Sequence, residues 1–188
     1  MTEKSAIQTG PAQASTAGAA QASTAGAAQA STAGAAQAST AGAAQAAQAV
    51  AQAAAQAMWR RDRTAQALGM ALAAVGPGTA TLTMPVRRDM INGHGMCHGG
   101  MIFTLADTAF AYACNSYDLN TVASACHIDF LAPAHENDEL QATAAERAQA
   151  GRSGVYDITV RNLTTQRDIA LFRGKSHRIQ GMVTESLA

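Results

Sequence analysis

Met101–Cys114 reads MIFTLADTAFAYAC, an unbroken stretch of fourteen residues that is apolar nearly all round. A segment of that length and character predicts a buried helix. Its polar exceptions are Thr104, Asp107 and Thr108. It is too short to cross a bilayer, which needs roughly 20 apolar residues. On either side the period changes to two. In Thr79 to Val86 the residues Ala80, Leu82, Met84 and Val86 fall on one face and Thr79, Thr81 and Thr83 on the other, the pattern of a half-buried strand. Four further strands are predicted after the helix, over Thr121–Leu131, Glu139–Ala148, Val155–Asn162 and Asp168–Ile179. Gly151-Arg152-Ser153-Gly154 and Asn162 to Gln166 supply turns for an antiparallel meander. One central apolar helix with a run of strands implies an α+β layer in which a curved antiparallel sheet wraps the helix.

Upstream, a helix is predicted from about Ala47 to Leu72, ended by the turn Gly76-Pro77-Gly78. Residues 12 to 43 are four copies of AQASTAGA, and the Ala/Gln-rich pattern continues loosely to Ala57. The unit has no Leu, Ile or Val to stack, and its Gly and Ser-Thr pair lower helix stability in each copy. Residues 1–57 are therefore expected to be a disordered or partly helical tail. The folded domain is expected over 58–181, with a short tail at 182–188.

Thirteen acidic and thirteen basic side chains leave the chain neutral, which gives no nucleic-acid surface. The polar start MTEKSAIQTG lacks a signal-peptide core, so a cytoplasmic protein is expected. Cys97, Cys114 and Cys126 show no CxxC spacing and suit reduced thiols in that compartment.

Chemistry concentrates around Asp107. An ionised carboxylate inside an apolar helix is costly unless it is paired or faces a wet cleft. Apolar surroundings raise its pKa toward a range suited to proton transfer or nucleophilic attack. A helix side chain that meets solvent or caps a loop is the plainer reading of Asp107 taken alone. Ahead of the helix stands NGHGMCHGG, Asn92 to Gly100. Gly99 and Gly100 let backbone approach a ligand, and free N–H groups at a helix start attract negative charge, an oxyanion included. Asn92 offers an amide to orient water or a carbonyl, although Asn-Gly is also an ordinary turn pair. His94 and His98 are four apart, but the glycines around them argue against a helix and hence against a metal pair; His98 is expected to fix the loop through its ring. Alternation on the last strand sets Ala170, Phe172, Gly174 and Ser176 against Arg173, Lys175 and His177, a cationic face able to meet phosphates or simply to be solvated. Ser116 and Ser124 lack the setting of a serine nucleophile.

The segments NGHGMCHGG, MIFTLADTAFAYACNS, ASACHIDFLAP, GVYDITV and ALFRGKSHRI closely resemble the PaaI-type phenylacetate-degradation thioesterases of the hotdog superfamily, over about residues 58 to 181. The resemblance implies hydrolysis of a coenzyme A thioester, with phenylacetyl-CoA and its ring-hydroxylated forms as substrates. It implies Asp107 as nucleophile or general base, the Gly99 N–H as the group polarising the thioester carbonyl, and Asn92 as a positioning amide. It further implies a dimer of dimers with sites at the subunit interface, no metal, and no cofactor beyond the coenzyme A of the substrate. The Gly99–Asp107 spacing agrees with an interface site. Eight residues along a helix span roughly 12 Å at about 1.5 Å each, whereas both groups must come within about 3 Å of the reacting atoms. A hotdog dehydratase, which would pair a His such as His98 with Asp107, and a non-catalytic acyl-CoA-binding module are the competing expectations.

Overall fold

A computed structural model of the chain describes residues 22–185. The chain divides into two units, Met1–Gly42 and Ala43–Ala188. In the first, the described residues are helical from Ala22, as part of α1 (Ala22–Trp59); the expectation for residues 1–21 of the repeat tail lies outside the described residues. The second unit holds the remaining elements: α2 (Arg63–Ala67), β1 (Ala71–Gly76), β2 (Thr79–Pro85), α3 (Gly99–Cys114), β3 (Leu119–Phe130), β4 (Glu139–Ala150), β5 (Ser153–Asn162) and β6 (Arg167–Met182). A 3-10 turn at Arg88–Met90 leads from β2 toward α3.

The upstream helix begins and ends earlier than predicted. It stops at Trp59, and Asp62 then starts α2 by accepting a hydrogen bond from the Ala65 N–H at 2.9 Å. Gly69, at φ +71°, turns the chain out of helix in the left-handed region that favours glycine. Ala71–Gly76, read from sequence as helix and turn, is β1, joined to β2 through Pro77 and Gly78. Packing begins before Met58: Ala51, Ala54, Ala55 and Ala57 are buried, and Gln48 Nε2 donates to the Val75 carbonyl at 2.7 Å. It also continues past Gly181, because Val183 is buried and Thr184 donates through both its N–H and its hydroxyl to Asp118.

All six strands form one antiparallel sheet in the order β1-β2-β4-β5-β6-β3. Only β4-β5-β6 is the expected meander. The chain passes through α3 after β2, so β3 crosses to the far edge beside β6 and β4 returns to β2. The inner face of the sheet alternates as the sequence predicts for β2, β5 and β6, and β4 follows it: Leu82 and Met84 from β2, Leu140 and Ala142 from β4, Tyr156, Ile158 and Val160 from β5, and Ala170 and Phe172 from β6 are buried against α3. Each fully buried side chain of this size contributes about 1.5–3 kcal/mol. The contact is closest at Gly174, where an added Cβ would sit 2.8 Å from the Phe110 ring. Glycine inside β6 thus lets the helix lie directly on the sheet, and Phe110 stacks near Tyr156 and Phe172 at centroid distances of 5.4 and 6.1 Å.

Candidate active site

The loop before α3 is held by its own asparagine. Asn92 Oδ1 accepts from the N–H groups of His94 (2.9 Å) and Met96 (3.3 Å), and its backbone closes a turn with Met96 and Gly95. Gly95 adopts φ +73°, which this tight turn requires. With the side-chain oxygen committed to the loop, Nδ2 is the donor that Asn92 retains.

His98 caps the helix. Its Nδ1 accepts from the Gly100 N–H at 2.9 Å, so this nitrogen carries no proton and a neutral ring protonates at Nε2. The expected loop-fixing role is therefore what the geometry gives His98, and the cap leaves Gly99 as the first helical N–H without a hydrogen-bond partner among the described residues. Gly99 and Asn92 line one open cleft of about 350 Å³, together with Ile102, Phe130 and their neighbours. Both glycines are closely approached: an added Cβ would stand 3.1 Å from the Phe130 ring at Gly99 and 3.0 Å from the His98 ring at Gly100.

Asp107 does not line this cleft. Thr104 and Thr108, the other polar residues of α3, donate to carbonyls one turn back in their own helix, each at 2.7 Å. The half-buried Asp107 carboxylate instead meets a side chain from another element, Cys126 of β3, with Sγ 3.8 Å from Oδ1. Burial pushes the Asp107 pKa up from its ordinary value and the Cys126 hydrogen bond pulls it partly back. Cys126 is itself exposed along the strand; partial desolvation of its thiol, with Asp107 adding to the effect, pushes it up to about 11.

The candidate phosphate-binding residues lie elsewhere. Arg173, Lys175 and His177 are exposed on β6, with Phe172, Gly174 and Ser176 between them facing α3. Arg173 is not a free cation. It holds Asp157 at 2.7 and 3.0 Å, and Asp157 also accepts from Arg147 at 3.0 Å. Arg173 keeps the Asp157 carboxyl below its usual range in a cross-strand ion pair, while Lys175 and His177 stay exposed on the same face. His94 is exposed, His127 lies 3.2 Å from Asp129, and His135 contacts the Gly95 carbonyl, so these three stay outside the Asn92–Gly99 cleft. Sequence reasoning missed Cys126 and Phe130 as neighbours of the site. The one available signal was the alternation of Cys126, Ile128 and Phe130 within ASACHIDF.

The sequence profile of the Thioesterase superfamily matches residues 94–169. The chain is 55% identical over 127 residues to the acyl-coenzyme A thioesterase PaaI of Escherichia coli (strain K12), covering 68% of this chain and 90% of that protein. The solved structure of the E. coli PaaI protein, from the phenylacetic acid degradation operon, superposes with a TM-score of 0.70 at 52% identity, over 72% of this chain and 97% of that one. A variant of the phenylacetic acid degradation protein PaaI from Thermus thermophilus gives a TM-score of 0.60 at 33% identity, over 63% of this chain and 100% of that one. With the wrapped helix, the six-stranded sheet and the glycine-led start of α3, these likenesses lead to one conclusion: the chain belongs to the thioesterase superfamily, as a hotdog-fold thioesterase of the PaaI type.

Proposed function

We propose that this chain hydrolyses the thioester of an aryl-acyl-CoA, with phenylacetyl-CoA and hydroxyphenylacetyl-CoA as its substrates in phenylacetate degradation. The observation that carries the proposal is the unpartnered Gly99 N–H at the start of α3, in a cleft shared with Asn92, on the same helix as a half-buried carboxylate. A carbonyl oxygen held by the Gly99 N–H gains most as negative charge develops on it. Burial disfavours the ionised form of Asp107, which makes the carboxylate a better base and nucleophile than one in water. Asp107 either attacks the carbonyl carbon, forming an anhydride that water opens, or takes a proton from attacking water. Coenzyme A leaves as its thiol, and no metal or separate cofactor takes part.

The roughly 12 Å between Gly99 and Asp107 along α3 calls for two chains at each site. We therefore include a homo-oligomer, a dimer of dimers, in the proposal. Support comes from β3, whose outer edge pairs with no strand among the described residues and which exposes Val122 and Phe130, 46% and 53% accessible, next to Leu131. An uncovered apolar edge of this length favours pairing with another strand. The dehydratase alternative is disfavoured because the His98 ring is bonded to the Gly100 N–H and not to Asp107. A thiol-release assay across phenylacetyl-, hydroxyphenylacetyl-, benzoyl- and aliphatic-CoA tests the substrate class. Preference for the phenylacetyl thioesters is expected, and equal or better turnover of aliphatic thioesters would remove it. A single turnover in isotopically labelled water tests direct attack: water opening the anhydride at the Asp107 carboxyl carbon leaves the label in the protein, whereas general-base attack leaves the protein unlabelled and puts the label in the product.

A further inference from the structure

The strand that faces Asp107 is not regular. β3 pairs with β6 as Ala123↔Ser176 and then Ala125↔Lys175, so Ser124 is an extra residue in a β-bulge. The bulge is built in rather than merely tolerated, since Ser124 Oγ donates to the Lys175 carbonyl at 3.0 Å. It also changes which side chains face the helix. Strict alternation from Ala123, opposite the buried Ser176, would turn Cys126 outward; with one residue absorbed at Ser124, Cys126 pairs with Gly174 and faces inward. The Phe110 ring closes over Gly174 on this face, and beside it the thiol reaches Asp107, with Sγ 3.8 Å from Oδ1. Among the described residues this is the one hydrogen bond that the Asp107 carboxylate receives.

We infer that Cys126 is the positioning residue of the Asp107 carboxylate: its S–H donates to Oδ1 and fixes the rotation of the group, so that Oδ2 is the oxygen presented to substrate or water. The inference rests on the proposed role of Asp107. Cys126 itself touches no reacting atom; the bulge at Ser124 aims it. A thiol is a weak donor, which suits the task, because a strong charged partner would hold the carboxylate ionised and blunt its basicity. Among the described residues no cation takes that place. The ionisable groups that bear on Asp107 are Cys126 from β3 and Cys114 from its own helix, both of them neutral thiols.

The test compares Cys126→Ala and Cys126→Ser with the unaltered full chain, with folding of each checked by circular dichroism. Removing the donor should move the acid limb of kcat/KM about half a pH unit upward, equivalent to roughly a threefold loss on that limb, and lower kcat more than it changes KM. Cys126→Ser keeps a donor and should return the limb toward its original position. An acid limb in Cys126→Ala that coincides with the original would overturn the inference, since a merely structural thiol leaves that limb in place. The infrared S–H stretching band of Cys126, identified by its loss in Cys126→Ala, gives an arm independent of turnover. It should move to higher frequency in Asp107→Ala, and an unmoved band likewise refutes the bond. Failure of the underlying reading has a different signature, undiminished hydrolysis by Asp107→Asn, whatever the band does.

Discussion

β5 and β3 are strands of one sheet with opposite surroundings. β5 has a neighbour on each side and buries every second residue, Gly154, Tyr156, Ile158, Val160 and Asn162. β3, two residues longer, has β6 on one side only and buries none of its twelve residues. β5 thus carries stability, and β3 is left free for the proposed chemistry, because a strand already saturated with neighbours leaves no room for a ligand or a second chain. The residue that meets Asp107 lies on the strand least occupied by the fold.

The sharpest way to break this division is at Asp107. Its replacement by Asn should lower kcat/KM about 10³-fold, equivalent to roughly 4 kcal/mol of transition-state stabilisation, in a steady-state thiol-release assay, while the protein gains thermal stability at pH 7. The sign follows from the raised pKa of Asp107. The folded state holds its proton to higher pH than the unfolded chain, so stability is lost as pH rises from the unfolded value through the folded one. Asn escapes that loss, and its advantage should vanish in melts taken below the ordinary carboxylate range. For the same reason, the acid limb of the pH–rate profile should lie above the usual pKa of a free carboxylate.

Ile158→Ala on β5 should act in the other currency. Emptying this buried position is expected to lower the unfolding free energy by about 2–5 kcal/mol in a urea titration, while turnover per folded molecule stays unchanged. Val122→Lys on β3 should do the reverse. The exposed side chain contributes little to the fold, but in the proposed strand pair the new charge would be set against the partner's apolar edge. Sedimentation should then show smaller species, and specific activity should fall with them. The smallest effect is expected at Arg173→Gln on β6, where loss of an exposed ion pair should change stability by no more than about 1 kcal/mol and leave the KM for the CoA thioester unaltered. A large rise in KM would return Arg173 to the binding site.

How much of this the sequence disclosed depended on how local each signal was. α3 was legible because an apolar run of its length has few other uses, and the inner faces of β2, β5 and β6 were legible because their alternation is unbroken. β1 was hidden: Ala71–Gly76 contains only Leu72 and Val75 as large apolar residues, and neither is fully buried. The crossing of β3 beside β6 could not be read either, since it follows from α3 occupying the centre of the sheet rather than from anything in β3. At the site, Asn92, Gly99 and Asp107 stood out as residue types in unusual company. Cys126 did not, because its inward direction comes from one bulged residue in a strand of otherwise ordinary composition. The engagement of Arg173 by Asp157 required the register between two strands, which alternation along one strand cannot supply.

The cap on α3 has a consequence for competition. An uncapped helix start offers several N–H groups at once and attracts any small oxyanion, inorganic phosphate included. His98 occupies the Gly100 N–H, so phosphate arriving at the Gly99 cleft finds one main-chain donor for its several oxygens. A thioester carbonyl has one oxygen and finds its requirement met. Under the proposed function, the imidazole that closes the second donor would act as a discriminator, keeping a helix terminus available to an acyl group in a solution crowded with phosphates.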